Sequence, residues 1–436
     1  GGYFRWQATI FIKNIQSEKT RPQNHMQNRT DAPPIKDAVD YKLELKPYEH
    51  YLLDNGVPVY TVNAGAQEVL QLELVFYAGN FFEQQKGTAA ATNFLLKNGT
   101  ATRTAFQVNE AFEYYGAYCN RSCYNETAVV TLHTLSKHLD KLLPVLQDMI
   151  TNASFPQQEL DIYKQNASQR LKVNLQKCEF VAGRLIDSYL YGMQHPYGTY
   201  SNIEDINTIS LEEIKKFYSR YYLQGHCIIF VSGNIPSTLA AQLNEFFGKL
   251  SVSKPPSSLP TAAVEQAAEK KYRIINDKES VQGAIRIASP FPNRHHPDFK
   301  KAIVLNNVFG GFFGSRLMSN IREDKGYTYG IHSYLQNHMQ QSAWMISTEA
   351  GKDVCEATIH EVYEEMKKLR EENIDEEELM LVRNFMIGTI LGDLDGPFQI
   401  MAKWKNIILN NLGPEYFYDS VREIKTITAD ELKELA

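Results

Sequence analysis

The chain has 436 residues, 43% hydrophobic and 22% charged, a globular profile with material for about two to four domains. Its formal net charge of −6, with no long basic run, argues against nucleic acid or anionic membrane as a partner. No run of about 18 apolar residues is present, so no transmembrane helix is expected. Five cysteines, an odd number without zinc-finger spacing, predict reduced thiols rather than a disulfide scaffold.

The stretch "FRWQATIFIKN" near the start is too short for a signal peptide and lacks a small-residue cleavage site. Residues 14–35 are polar, carry prolines and read as an extended arm, with Met26 a candidate natural start. A cytoplasmic location is expected, or a periplasmic one if a signal peptide has been removed. "YEHYLLDNGVPVYTV" reads as a hairpin around Asp54-Asn55-Gly56, and "VLQLELVFYAG" alternates with the period of a strand. A helix over "GTAAATNFLLKNGT" and another over "QVNEAFEYYGA" follow, then two strands in "YCNRSCYNETAVVTLHTL". "HLDKLLPVLQDMITNASF" is helical, with Pro144 expected near its first turns. "PQQELDIYKQNASQRLKVNLQK" is a long amphipathic helix. After a further helix and the turn "QHPYG", "SLEEIKKFYSRYY" opens with a Ser-x-x-Glu capping box, and "HCIIFVSGNI" is a buried strand.

Residues 250–268 are rich in Pro, Ser and Ala and form the best linker. Beyond it the same order of elements returns. "VQGAIRIASPF" matches the first strand, and "FKKAIVLNNVFGG" takes the place of the "GTAAATNFLLKNGT" helix. "YGIHSYLQNHMQQSAWMISTEA" gives two strands and "VCEATIHEVYEEMKKLREE" a helix. "IDEEELMLVRNFMIGTIL" echoes "PQQELDIYKQNASQRL". This predicts one α+β unit used twice: an extended N-terminal arm at 1–40, a first domain at 41–249, the linker at 250–268 and a second domain at 269–436. Each domain is expected to be a mostly antiparallel sheet covered by helices, and two similar faces can enclose a cleft.

Two histidines at i and i+4 on one helical face can share a zinc ion, with a Glu at i+3 as general base; this is the His-x-x-Glu-His arrangement. The context "FYAGNFFEQQKGTAAATNFLLKNGT" resembles the start of the pitrilysin-like, or insulinase-like, zinc peptidases. Their pattern is approximately A-G-S-x-x-E-x-x-x-G-x-A-H-x-x-E-H-x-x-x-K-G-T. The flanks match at Ala78, Gly79, Glu83, Gly87, Gly99 and Thr100. In that register Ala90 and Phe94 stand at the two histidine positions and Asn93 at the base. The third ligand of the family comes from a later helix, where Asn166 is the matching candidate, give or take a turn. Ala and Phe cannot ligate zinc, and an Asn amide is neither a base nor a good zinc ligand. Without the flanks and the duplication, this would read as an ordinary core helix with Leu95 and Leu96 packing inward. The resemblance extends over roughly residues 48–436, with "HPYG" and "VSGNI" as further matches.

"FGGFFGSRLMSNIREDKGYTYGIHSY" is the most distinctive run in the second half. Gly310, Gly311 and Gly314 suggest a loop whose backbone can approach a peptide, followed by a helix over "SRLMSNIRE". The run lacks the ending of a phosphate-binding loop, so nucleotide binding is unsupported. It resembles the family pattern G-G-G-x-x-S-R-L-x-x-x-I-R-E-x-x-G-L-A-Y, which maps the family's substrate-holding Arg and Tyr onto Arg322 and Tyr329. An Arg fork can donate to peptide carbonyls, and a Tyr hydroxyl to the carbonyl under attack. Tyr327 is the rival for the second role, and a surface pair of Arg322 with Glu323 or Asp324 is the plain alternative.

His295-His296, the pair His133 and His138, and the acidic run from Arg370 to Leu379 read as structural, and no Gly-x-Ser-x-Gly elbow is present. The resemblance implies a non-catalytic, substrate-holding subunit of a heterodimeric zinc peptidase. On that view this chain needs no cofactor of its own, and zinc and base come from a homologous partner with an intact His-x-x-Glu-His. A zinc-free structural or assembly protein of the same superfamily is the alternative, followed by a stand-alone peptide-binding module.

Overall fold

Alternation in "VLQLELVF" puts Leu70, Leu72, Leu74 and Phe76 on one side of a strand and Gln71, Glu73 and Val75 on the other. The computed structural model, which describes residues 36–255, 258–265 and 267–436, uses both sides. Six strands assemble in the first half: β1 (Glu49–Leu52), β2 (Pro58–Asn63), β3 (Val69–Phe76), β4 (Tyr118–Cys123), β5 (Ala128–Leu135) and β6 (Cys227–Gly233). Their spatial order is β1-β2-β6-β3-β5-β4, antiparallel except for the β2–β6 pair. The face carrying Leu70, Leu72, Leu74 and Phe76 is covered by helices of its own half: α1 (Thr88–Leu95), α2 (Ala105–Glu113), α3 (Leu139–Thr151), α4 (Gln157–Asn174), α7 (Leu211–Tyr218) and α8 (Leu239–Phe247). Between α4 and α7 in the chain, α5 (Cys178–Tyr191) sets Leu190 and Tyr191 against Ala343 and Met345 of the second half, and α6 (Ile203–Thr208) lies on α4.

The opposite face of the same sheet, with Val62, Val75, Val129, Ile228 and Phe230, is buried under the second half. That half contains β7 (Gln282–Phe291), α9 (Phe299–Asn306), β8 (Thr328–Asn337), β9 (Ser342–Gly351), α10 (Cys355–Glu371), α11 (Glu376–Asp393), α12 (Pro397–Leu409), α13 (Glu415–Thr426) and α14 (Ala429–Leu435). Trp404 on α12 packs in this shared core and donates its indole N–H to the Lys46 carbonyl at 2.7 Å. Beside it Lys405 reaches both carboxylate oxygens of Glu73 at 2.8 Å. The residues from Ala38 to Ala436 thus form one tightly connected unit. The arm expected at residues 14–35 lies outside the described residues.

Both halves run strand, helical segments, two strands and two long helices in that order (β3 to α4 and β7 to α11), and their sheets differ in size. The second sheet has three strands, β7-β9-β8, antiparallel throughout, against six in the first. In the stretch aligned with β2, Ile274 and Ile275 lie outside any strand and are exposed. Pro144 sits within the first two turns of α3, as expected, and one local expectation changes. Ser210 caps α7 through Glu213 N, while the Glu213 carboxylate pairs with Lys216.

A second joint between the halves is polar. Buried Glu126, in the β4–β5 turn, accepts from Tyr197 Oη at 2.6 Å and from Met339 N at 2.9 Å. The His338 ring stacks on Tyr197 at 3.9 Å, and its Nδ1 meets Asn125 Nδ2 at 3.0 Å. Burial, with help from His195 and Arg294, pushes the His338 imidazole down to about 4, so it sits neutral in the joint. The linker touches both halves: Glu265 N donates to the Tyr191 carbonyl, and Gln340 Nε2 to those of Leu259 and Pro260.

Candidate functional site

The helix α1 is mounted by the residues that precede it. Gly79 lies so close to the β4–β5 turn that a Cβ there would stand 2.3 Å from the Asn125 carbonyl oxygen. The turn Asn80–Phe82 continues from it, with Phe81 N donating to the same carbonyl and Asn80 Nδ2 to that of Pro196. Glu83 then accepts from Gly87 N at 3.0 Å and Ala89 N at 2.9 Å, satisfying free amides at the start of α1. Burial raises its carboxyl to about 7 against the pull of those two amides. These contacts give a structural reason for the flanking residues Gly79 and Glu83.

On α1, Thr88, Ala89, Ala91, Thr92, Asn93 and Leu95 face inward, leaving Ala90 and Phe94 on the open stripe. The i, i+4 geometry for two ligands is therefore present and its donors are not. Asn93, at the base position, is buried and donates to the hydroxyl of the fully buried Tyr222 at 3.2 Å. Phe94 is 41% exposed and packs at 5.2 Å from the Tyr163 ring of α4. One turn nearer the α1 C-terminus, Asn98 donates to Glu159 of α4 at 2.7 Å. The residue of α4 that meets Phe94 is thus Tyr163, and Asn166 lies a turn beyond it, exposed. This donor set does not fit zinc: two of the four side chains have no lone pair to offer, and the Asn93 amide is engaged by Tyr222. No cluster of three or more His, Cys, Asp or Glu suited to a metal occurs among the described residues.

Sequence reading missed the cation beside this helix. Arg121, on the edge strand β4, lays its guanidinium over the Phe94 ring at 5.0 Å and donates through Nη1 to the Phe94 carbonyl. Lys97 donates to the Cys119 carbonyl at 3.4 Å and stands over the Phe112 ring. Strand parity sets Cys119, Arg121 and Cys123 on one face, but nothing in "YCNRSC" tells which helix that face meets.

In the second half the glycine loop is replaced by a widened last turn of α9, Asn307–Gly311. Gly310 is buried there; a Cβ would stand 2.7 Å from Ser333 Oγ and 2.8 Å from Ser333 N of β8. Gly311 packs on its own helix, where a Cβ would meet Asn307 at 2.8 Å. The run Met318–Asp324 is helical and is anchored by Arg316, just before it, which forms a two-pronged pair with Glu378 at 2.8 Å. Arg322 pairs with Glu323 at 2.6 Å, as the plain alternative had it, and also covers the Phe313 ring at 4.5 Å. Phe313 is 62% and Tyr329 93% exposed. Among the described residues, no hydrogen bond, ion pair or ring contact joins Arg322 to Tyr329 or either of them to α1.

Two sequence profiles cover most of the unit. "Insulinase (Peptidase family M16)" matches residues 59–196, and "Peptidase M16 inactive domain" matches residues 208–386. The chain belongs to the M16 peptidase family, and it lacks the His-x-x-Glu-His motif. Among its M16 relatives is the uncharacterized zinc protease YmxG of Bacillus subtilis, 22% identical over 89% of this chain and 94% of that protein. Among solved structures, the peptidase M16 inactive domain from Pseudomonas fluorescens matches with a TM-score of 0.77 and 24% identity, covering 89% of this chain and 94% of that one. A chain of complex III2 from Candida albicans matches with a TM-score of 0.69 and 15% identity, covering 89% and 92%. These structural likenesses support the α+β M16 fold.

Proposed function

We propose that the chain is the non-catalytic, substrate-holding subunit of a two-chain M16 peptidase, active only beside a homologous chain with an intact His-x-x-Glu-His. Zinc and the general base belong to that partner in this reading. One contrast carries the proposal: α1 keeps its mount and its open i, i+4 stripe without donors, while the second half presents a half-buried Arg322 over an exposed Phe313 and an exposed Tyr329. Tyr329, 93% exposed, is spare of packing duty, and Arg322 lies over the exposed Phe313 ring. This suits a peptide, to which the Arg322 fork and the Tyr329 hydroxyl can donate. The open edge of β4 offers main-chain groups to an extended peptide as well. A cytoplasmic location is part of the same proposal.

Affinity purification of the chain from its native source tests the pairing; a copurifying chain with His-x-x-Glu-His is expected. In the reconstituted pair, Arg322→Ala should lower kcat/KM for peptide cleavage about tenfold or more. Unchanged cleavage removes Arg322 from the site, and cleavage by the isolated chain overturns the whole reading. The likeness to a chain of complex III2 favours, as a second reading, an assembly role without cleavage. A large complex copurifying without any peptidase activity would select it.

A further inference from the structure

Arg121 and Lys97 are two partly buried cations with no acid in ion-pair range among the described residues. Arg121 uses Nη1 on the Phe94 carbonyl and, at 3.4 Å, on Asn98 Oδ1. Its Nε is buried without a hydrogen bond. The acid beyond Asn98, Glu159, is already bound by the Asn98 amide. Lys97 has only the Cys119 carbonyl and the Phe112 ring. Each cation is partly desolvated, and the Arg121 charge also acts on Lys97 to disfavour its protonated form. Glu113 offsets Lys97 from beyond ion-pair distance, and nothing comparable offsets Arg121 among the described residues. A half-buried positive pair of this kind is costly, and an anion placed against it relieves the cost. Arg121 stands on the edge strand β4 over the exposed ring of Phe94, one of the two aligned ligand positions.

We propose that the degenerate ligand positions form a carboxylate-binding subsite, in which Arg121 and Lys97 take a peptide carboxylate beside the Phe94 ring. The proposal deepens, and rests on, the peptide-holding reading above. A peptide lying along β4 would bring either its C-terminal carboxylate or an acidic side chain to Arg121, whose fork suits that planar anion. Phe94 then offers apolar surface to the neighbouring side chain.

The test uses the full chain and fluorescein-labelled Ala-Leu-Ala-Phe-Ala as a free acid and as a C-terminal amide, with a third peptide, amidated, carrying an internal Glu. Fluorescence anisotropy should show the free acid binding about tenfold tighter than the amide, with the gap closing at high salt. Recovery of affinity by the Glu peptide would assign the subsite to acidic side chains instead of the C-terminus. Arg121→Gln should erase the acid–amide gap and Arg121→Lys keep part of it, while Arg322→Ala weakens both peptides alike. Equal affinity of all three peptides for the wild type overturns the subsite. Thermal stabilisation by acetate over chloride at equal ionic strength gives a readout without peptide. If no peptide binds but acetate stabilises the wild type and not Arg121→Gln, the subsite stands and the peptide-holding reading falls. If acetate acts on both proteins alike, the subsite falls.

Discussion

The strands β3 and β7 hold the same place in the two repeats and live in different surroundings. Five residues separate Asn63 from β3 and five separate Asn276 from β7, so Leu72 aligns with Ile285, Leu74 with Ile287 and Val62 with Ile275. The strand β3 is paired on both sides, by β5 and β6, and nearly every residue in it is buried. Among the described residues only β9 pairs with β7, and most residues of β7 are half-buried or exposed. Val62 is 0% exposed, whereas Ile275 is 66% exposed. The apolar pattern is alike in the two places, so burial here is set by what lies alongside a strand rather than by the strand's own residues.

The largest effect should come from trimming aligned side chains. Leu74→Ala should cost roughly 3–4 kcal/mol in chemical denaturation and Ile287→Ala about 1–2 kcal/mol. Equal losses would break the comparison. Next in size is the join between the halves. Glu73→Ala leaves Lys405 against the sheet unpaired and should cost roughly 2–3 kcal/mol, much of it recovered when Lys405→Met is added to Glu73→Met. If the halves fold separately, that variant would split the unfolding curve into two transitions instead of lowering one.

The smallest effects are two pH dependences of opposite sign. His338 belongs to the joint, and its folded value near 4 lies below the usual 6.5. Its contribution is complete above about 6.5 and is lost as the pH falls toward 4. Glu83 belongs to the first half alone, and its folded value near 7 lies above the usual 4.5. Folded protein then keeps a proton that unfolded chains have released, so stability falls as the pH rises from about 4.5 to about 7. Melting temperatures across this range should show the His338→Gln variant losing less on acidification, and Glu83→Gln losing less on alkalinisation, than the wild type. The same slope in all three proteins would remove both assignments.

Much of this architecture is legible in the sequence because it is written locally. Alternation marks β3, and the Asp54-Asn55-Gly56 turn marks the first hairpin. The flanks of α1 expose Ala90, Asn93 and Phe94 as substitutes, because Gly79 and Glu83 are held by backbone contacts that do not depend on a metal. What stayed hidden depends on distant partners. Asn125 meets His338 across 213 residues, and Arg121 reaches Phe94 across 27 with no motif to announce it. The glycines at 310 and 311 suggested a loop because composition alone does not show that Ser333 packs against one of them.

The hydrogen bond from Asn93 to Tyr222 bears on what a metal site here would need. The residue aligned with a catalytic base is a fastener inside the core, and a cation leans over the neighbouring ligand position. Writing His, Glu and His at 90, 93 and 94 would push a carboxylate against the buried Tyr222 and seat a metal beside Arg121. A metal-binding version of this helix would therefore need changes at Tyr222 and Arg121 as well as at 90, 93 and 94.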